Sequence, residues 1–232
     1  MMTMAETENV ELIVMASGWA EPALDFVAAA FEKDTGHKIS ISYRYDLESC
    51  DVLVMSRRAL EEPPEEGGYA GRVEEGRIWV ARSAGVGIAV RQGARTYDVS
   101  DEQAIVQAIR DCERLLLTEN HASGAYMQKY LKTNGLFDEV KAKINYASIG
   151  QDLVDRLLRG EGDELMFLPI GRMRATNDAR VNILGPLPDS MQMSQDFFAV
   201  PMTASAHKGA AWDFSRFCAG PGRSFFVAQG FR

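Results

Sequence analysis

An α/β fold is the class that the sequence predicts, and three observations support this prediction. Short apolar runs, such as residues 11–15, alternate along the chain with segments whose apolar residues recur at helical spacing, such as residues 22–33. Glycines and prolines lie between these segments, where strands and helices should end. The composition, 46% hydrophobic and 25% charged in 232 residues, is that of an ordinary folded protein with one large domain or two small ones.

The first elements are predicted to form a βαβ unit. A strand at residues 11–15 leads into Ala16-Ser17-Gly18, and a helix at residues 22–33 has Pro22 in its first turn. Residues 39–43 alternate as a second strand. Further strands are predicted at residues 50–56, 78–80 and 85–91, with a surface loop at 61–68.

Helices and strands also alternate in the second half of the chain. Ser100 is predicted to cap a helix at residues 101–112, and Ser123 and Ser148 are predicted to open two more helices. These end at residues 132 and 159. The remaining predicted elements are strands at 115–117, 164–169, 181–184 and 197–200 and a final amphipathic helix at 210–218. The sequence shows no internal repeat.

Charge and hydropathy exclude several classes of partner. The 25 basic and 33 acidic side chains give a net charge of −8, which disfavours binding to a nucleic acid backbone. No stretch approaches the roughly 20 apolar residues that cross a bilayer, so no membrane insertion is expected. No basic and apolar leader precedes the first strand, which predicts a cytoplasmic protein, or a periplasmic one if a signal peptide was removed.

The cysteines and histidines do not predict a metal site. Cys50, Cys112 and Cys218 are far apart in the sequence and are predicted to be buried thiols. The His and Cys residues do not cluster at ligand spacing, so no metal is expected. The sequence also lacks nucleotide-binding and nucleophile motifs, and no cofactor is expected.

The sharpest feature is a polar loop between a strand and a helix, which occurs twice. Ser17-Gly18 follows the first predicted strand, and Ser123-Gly124 opens a later helix. The first turn of a helix has unpaired N–H groups and a partial positive charge, so a serine and a glycine there can hold an anion. The alternative is structural, because serine is a favoured N-cap and glycine a favoured loop residue.

Other side chains near these loops complete the candidate set. Arg44, Arg57 and Arg82 lie near predicted strand ends and could balance the charge of an anion, or they could be solvated surface residues. Trp19 follows the first loop instead of lying on a periodic face, which favours a position in a pocket. His121 precedes the second loop, where it is either a general base or a surface residue.

A series of loose motifs runs through nearly the whole chain. It comprises residues 12–18, 31–37, 51–54 and 87–94 in the first half, and Ser123-Gly124, residues 160–165 and 184–188, Gln192 and Gly230-Phe231 in the second. In this order, the series resembles the type II periplasmic binding proteins of the molybdate-binding-protein-like group.

The resemblance implies two α/β lobes, residues 1–84 with 199–232 and residues 85–198, joined by two crossings near residues 84–90 and 192–199. It implies a ligand in a cleft between the lobes and closure by hinge motion. It also implies ligand contacts from the two serine-glycine loops and from the regions of Gln151 and Phe167. The expected ligand-binding residues are Ser17, Gly18, Trp19, Arg44, Tyr45, Arg82, Ser83, Ser123, Gly124, Tyr126, Gln151 and Phe167.

One connection departs from the family pattern. The family has a small-residue loop and a helix between its second and third strands, whereas only residues 44–50 separate Tyr43 from Asp51 here. One wall of a molybdate site would therefore be missing, and Arg44 or Tyr45 would occupy the gap.

The sequence therefore predicts a noncatalytic protein that binds a small anion, either an organic acid or an oxyanion. The resemblance implies an ABC transporter permease as a partner. The alternative is an isomerase of an unsaturated carboxylic acid, because the group is also similar to aconitate isomerase, and His121 would then be the base. The effector domain of a transcription regulator is less favoured, because no helix-turn-helix motif precedes the first strand.

Overall fold

Two mixed sheets of five strands each form the framework of the residues that the computed structural model describes, namely 9–42, 46–61, 69, 71–119 and 121–232. The sheets belong to two units, Met1–Ser83 with Gln195–Arg232, and Ala84–Ser194. The chain therefore passes from one unit to the other twice. The α/β class predicted from the sequence is confirmed.

The elements follow the predicted alternation of strands and helices. The strands are β1 (Glu11–Ala16), β2 (Lys38–Ser42), β3 (Val52–Ser56), β4 (Ile78–Arg82), β5 (Val86–Arg91), β6 (Arg114–Thr118), β7 (Ile144–Ala147), β8 (Glu164–Pro169), β9 (Val181–Pro186) and β10 (Asp196–Pro201). The α-helices are α1 (Glu21–Thr35), α2 (Arg57–Glu61), α3 (Glu102–Asp111), α4 (Ala122–Thr133), α5 (Phe137–Val140), α6 (Gly150–Arg159), α7 (Ile170–Ala175), α8 (Lys208–Ala219) and α9 (Arg223–Ala228). Short 3-10 helices cover Lys141–Lys143 and Asp189–Met191.

Some elements differ from the prediction. Asp101, and not Ser100, is the N-cap of α3, because its carboxylate accepts a hydrogen bond from the Ala104 N–H at 2.9 Å. Helix α6 begins at Gly150, two residues after the predicted start at Ser148. Helices α2, α5, α7 and α9 and strand β7 were not predicted, because their four to six residues are too few to show a periodic pattern.

The sheet of the first unit has the strand order β2-β1-β3-β10-β4. Strand β1 is parallel to β2 and β3, and β10 is antiparallel to β3 and β4. Because alternate side chains of a strand face opposite sides, Leu12 and Val14 pack with α1, α8 and α9, whereas Met15 and Leu53 pack with α2 on the other face. Residues 195–198, which the sequence analysis assigned to the second lobe, lie in this unit.

The sheet of the second unit has the order β7-β6-β8-β5-β9. Strand β6 is parallel to β7 and β8, and β5 is antiparallel to β8 and β9. Leu116 and Met166 pack with α6 and α7 on one face. Helix α4 packs against β6 and β8. The β6-α4-β7 and β7-α6-β8 connections run in opposite directions across the sheet, and because such crossovers are right-handed as a rule, α4 lies on the face opposite to α6.

The two sheets share one strand scheme. In each, the first parallel strand, β1 or β6, lies between the second and the third, and the next strand along, β10 or β5, is antiparallel. One connection differs, since α6 joins β7 to β8, while the described part of the β2-β3 connection, residues 46–51, contains no helix. This scheme places the connections β1-α1 and β6-α4, which contain the two serine-glycine pairs, at equivalent points of the two sheets.

Candidate functional site

Each unit has a topological switch point with a serine-glycine pair at it, Ser17-Gly18 in the turn before α1 and Ser123-Gly124 in the first turn of α4, where the sequence had predicted a loop. In the second unit, β6 leads to α4 on one face and β8 leads to α7 on the other, so the connections diverge at the carboxyl ends of neighbouring strands. In the first unit, β1 and β3 diverge in the same way toward α1 and α2. Open α/β sheets bind their ligands beyond such strand ends. Residues 17–18 and 123–124 therefore occupy the positions at which this kind of sheet binds a ligand.

Two buried hydroxyl groups without a hydrogen-bond partner lie at the start of α4. Ser123 is in the first turn of this helix and Thr118 is the last residue of β6, and each is 1% exposed. In the described part of the chain, neither Ser123 Oγ nor Thr118 Oγ1 has a partner. A buried polar group without a partner costs about 1–3 kcal/mol. The first turn of α4 also has N–H groups without a carbonyl partner in the helix, so unpaired donors converge here.

Gly124 holds the start of α4 close to the end of β6. A Cβ atom at this position would overlap the carbonyl oxygen of Thr118 and would lie 2.6 Å from its Oγ1. Only glycine permits this approach, which brings the first turn of α4 beside the Thr118 hydroxyl. The sequence analysis missed Thr118, although a hydroxyl residue that ends an apolar strand just before a polar loop was a visible signal.

His121 lies at this helix start, and its imidazole makes no capping hydrogen bond. It is the N-cap of α4 and is exposed. Its carbonyl accepts a hydrogen bond from the Ala125 N–H at 2.9 Å. Within the ranges that the structure describes, no carboxylate bonds to the His121 imidazole, so the orienting group of a general base is missing there.

The loop of the first unit is a turn that is fixed to β3. The Ser17 N–H donates to the carbonyl of Val54 at 3.1 Å, and Ser17 Oγ accepts from the Trp19 N–H at 3.4 Å. Gly18 is exposed, with open space where a Cβ would be. Trp19 is half-buried and packs against the core of the first unit, so its ring has a structural role in addition to any contact with a ligand.

Arg82 and Ser83 lie at the end of β4, where the chain leaves the first unit. The backbone of Arg82 pairs with that of Arg232 through hydrogen bonds of 2.7 and 2.8 Å, and its side chain is exposed. Ser83 is buried, its N–H donates to the Gln195 carbonyl at 2.8 Å, and its Oγ accepts from the Gln195 N–H at 2.9 Å. The Ser83 side chain therefore joins the segments at which the chain leaves and re-enters this unit.

Three expected ligand contacts of the second unit are engaged elsewhere. The Tyr126 hydroxyl donates to the Met191 carbonyl at 2.9 Å, and burial raises the pKa of Tyr126. Gln151 is exposed on α6 and its amide donates to the Asp155 carboxylate at 3.0 Å. The Phe167 ring is fully buried in β8. Two of these side chains thus have partners within the unit, and the third belongs to its core.

The remaining arginine and tyrosine candidates are Arg44, Tyr45 and Arg57. Arg44 and Tyr45 lie outside the described residues. Arg57 lies 3.9 Å from the carboxylate of Asp196, and its guanidinium stacks 5.2 Å above the ring of Phe198. Arg57 therefore already has an acidic and an aromatic partner.

The cysteines are free and buried, as predicted. Burial raises the pKa of Cys50 to about 11. In the ranges that the structure covers, no group of three His, Cys, Asp or Glu side chains is placed to hold a metal ion. None of the described helices is both long and apolar enough to span a membrane.

A known protein family matches most of the chain. The sequence model of the family described as bacterial extracellular solute-binding protein matches residues 46–232, which is more than half of the chain. The extracellular description does not support the predicted cytoplasmic location, and it agrees with the periplasmic alternative.

Individual relatives agree with this match. An aconitate isomerase from a Pseudomonas species is 27% identical over 219 residues, covering 86% of this chain and 79% of the relative. The periplasmic molybdate-binding protein of Azotobacter vinelandii superposes with a TM-score of 0.67 at 20% identity, over 95% of this chain and 98% of that one. The sulfate-binding protein SubI from Mycobacterium tuberculosis H37Rv superposes with a TM-score of 0.69 at 17% identity, over 97% and 87%. At these identities the structures show the fold, which is the type II periplasmic-binding-protein fold expected from the resemblance.

Proposed function

The chain belongs to the bacterial extracellular solute-binding proteins, and from this premise we propose that it binds a small anion, an organic acid or an oxyanion, at the start of α4. One observation carries the proposal, namely the two buried and unpartnered hydroxyls of Thr118 and Ser123 beside the first turn of that helix. Buried polar groups in folded proteins nearly always have partners. A ligand that accepts hydrogen bonds would supply the partners that the two hydroxyls lack among the described residues.

The chemistry of the helix start favours an anion over a neutral ligand. Helix α4 has twelve residues, and its peptide dipoles place about half a positive charge at the first turn. The N–H groups and the two hydroxyls can all donate hydrogen bonds to the oxygens of an oxyanion or a carboxylate. The net charge of −8 describes the surface and does not oppose such a local site.

We propose the same role for the loop of the first unit. Ser17 and Gly18 lie at the switch point of their own sheet, in the connection equivalent to the one that leads into Ser123 and Gly124. The open space at Gly18 leaves its backbone accessible to a ligand atom. The relatives named for molybdate, sulfate and aconitate all act on anions, which supports this class of ligand. A transporter permease that receives the ligand is the partner that we propose.

A thermal-shift screen tests the proposal. Molybdate, sulfate, phosphate, succinate and propane-1,2,3-tricarboxylate are added at millimolar concentration, with sodium chloride at matched ionic strength and magnesium chloride as controls. A ligand at a hundredfold excess over its Kd stabilises the folded state by about 2.7 kcal/mol. For a chain of this size, this raises the Tm by roughly 5–10 °C. If all five anions leave the Tm where sodium chloride leaves it, the proposal is wrong.

An isomerase is the second candidate, and the 27% identity to an aconitate isomerase is the observation that favours it. Proton transfer at a carbon atom needs a base within hydrogen-bond reach of the proton and a group that orients the base. The exposed His121 has no such orienting group in the described ranges. The binding function is therefore the better supported of the two.

A further inference from the structure

We propose that the exposed face of α1 is a dimer interface, at which two copies of this chain pair antiparallel around a two-fold axis beside Ala29. The proposal is independent of the anion site and concerns the first unit alone. Three observations support it, namely an exposed apolar patch, the order of the charges along α1 and a depression next to those charges.

The apolar patch extends over α1 and α9. Phe26 of α1 is 54% exposed, and its ring stacks on that of Phe225 of α9 with the ring centroids 6.1 Å apart. Val227 of α9 is 51% exposed, and Ala29 and Ala228 are exposed as well. Single exposed apolar side chains are common, but a group of them on two packed helices is typical of an interaction surface.

The charges beside this patch are self-complementary. Asp25, Ala29 and Lys33 follow one another at intervals of four residues, so they form one row along α1, and all three are exposed. Neither Asp25 nor Lys33 forms an ion pair with another described residue. In an antiparallel pair with its axis beside Ala29, Asp25 of each copy faces Lys33 of the other. A parallel pair would bring like charges together, so the row favours antiparallel pairing of two identical helices.

The middle of the row permits close packing. The side chain of Ala29 is one methyl group, and the distance between packed helices depends on the side chains at their contact. Phe26 lies on the side of the row that faces α9, because its ring stacks on Phe225. A two-fold axis across the helices keeps both Phe26 rings on this side, where each packs against the half-buried Ala30 of the other copy.

A depression on the other side of the row accepts the lysine. It has a volume of about 350 Å³ and is lined by Asp25, Ala28, Ala29, Glu32, Ile39 and Ile41. The Glu32 carboxylate is already engaged, since it accepts a hydrogen bond from the Ile39 N–H at 2.9 Å and lies 3.6 Å from Lys38 Nζ. The Asp25 carboxylate is therefore the one that Lys33 of the second copy pairs with, and the apolar walls suit the aliphatic part of that lysine.

Sedimentation equilibrium of wild type and charge variants tests the proposal. Asp25→Lys and Lys33→Asp each place like charges opposite one another twice in the dimer. Asp34→Lys is the matched control, because Asp34 is exposed on the same helix but lies nine residues after Asp25, on the opposite side. Circular dichroism confirms that each variant is folded.

The interface is small, so we expect wild type to form a weak dimer with a Kd of about 10–100 µM. Each of the two single variants should dimerise at least about tenfold more weakly, because like charges then meet across the interface, and Asp34→Lys should dimerise as wild type does. An equimolar mixture of the Asp25→Lys and Lys33→Asp chains should dimerise again, since every contact then joins a lysine to an aspartate. Wild type that stays monomeric up to about 300 µM overturns the proposal, as does a mixture that stays monomeric.

Cross-linking gives a second readout that does not depend on the charges. A residue beside a two-fold axis meets its own copy in the second chain, so Ala29→Cys should form a disulfide-linked dimer with oxidised glutathione, whereas Asp34→Cys should not. The native cysteines are free and buried, so they do not compete. Equal cross-linking of the two variants, or none in Ala29→Cys, contradicts an interface at this face.

Discussion

Replacing Ser123 with alanine should make the ligand-free protein more stable while it weakens anion binding. The Ser123 hydroxyl is 1% exposed and has no partner in the described structure, so its burial costs about 1–3 kcal/mol that alanine does not incur. Alanine is also the better helix former. Since Ser123 is inside the first turn and is not the N-cap, no capping hydrogen bond is lost. The Tm should rise by about 2–4 °C for each kcal/mol gained.

The same substitution should weaken anion binding about ten- to a hundredfold, because a hydrogen bond to a charged ligand contributes about 1.5–3 kcal/mol. Differential scanning calorimetry without ligand and titration calorimetry with the best anion of the screen measure the two effects separately. A rise in stability together with a fall in anion affinity distinguishes a ligand-binding hydroxyl from a structural one.

Ser205→Ala is the matched control for the sign of the stability change. Ser205 is also a buried serine, but its Oγ donates to the Asp51 carboxylate at 2.6 Å and accepts from the His207 N–H at 3.1 Å. Its loss leaves a buried carboxylate short of a partner, and the free energy of unfolding should fall by roughly 1–3 kcal/mol. If Ser123→Ala is destabilised to the same extent and binds anions normally, the hydroxyl is structural and the site lies elsewhere.

Three further predictions concern packing, a thiol and catalysis. Gly124→Ala should lower the free energy of unfolding by roughly 1–3 kcal/mol in urea titrations, because the added methyl group overlaps the Thr118 carbonyl. Gly18→Ala meets open space and should stay within about 0.5 kcal/mol of wild type. Equal effects of the two substitutions would contradict the described packing. Burial raises the pKa of Cys50 from 9.0 to about 11, so the thiol form stabilises the fold below pH 9 and this stabilisation is lost as the pH rises toward 11. Disulfide reagents at pH 8 should therefore modify Cys50 only after unfolding. Incubation with cis- or trans-aconitate, followed by chromatography, should show no interconversion, and turnover that disappears in His121→Ala would establish the isomerase instead.

The long elements of the fold were predictable because their patterns are local. The strand at residues 164–169 was predicted with the bounds that the structure shows, since a run of buried apolar residues between turn signals needs no partner to be recognised. Strand β7 was missed because its four residues are mostly half-buried, and only pairing with β6 makes them a strand. The shared strand scheme of the two sheets leaves no repeat in the sequence, because it depends on strand order and not on residue identity.

The candidate site was predictable only in part. Ser123 and Gly124 could be selected from their place between a strand and a helix, which is a local signal. Thr118 had a local signal as well, because a hydroxyl residue ends an apolar strand just before this helix, but the burial of its Oγ1 without a partner depends on the packed structure. The hydrogen bonds that occupy Tyr126, like those of other expected contacts, are equally invisible in sequence.

The strand order of the first sheet has a consequence for the synthesis of the protein. Strand β10 lies between β3 and β4, yet the ribosome makes it only after the whole second unit, residues 84–194, is complete. Until then β4 has no strand partner and β3 presents an open edge, which is the kind of surface that pairs with other chains. The second unit is continuous and contains all five strands of its own sheet, so it can fold while the first is unfinished. A chain that stalls before residue 195 would therefore have one complete sheet and one incomplete sheet with an open edge. Chaperones and proteases would have to recognise this incomplete chain.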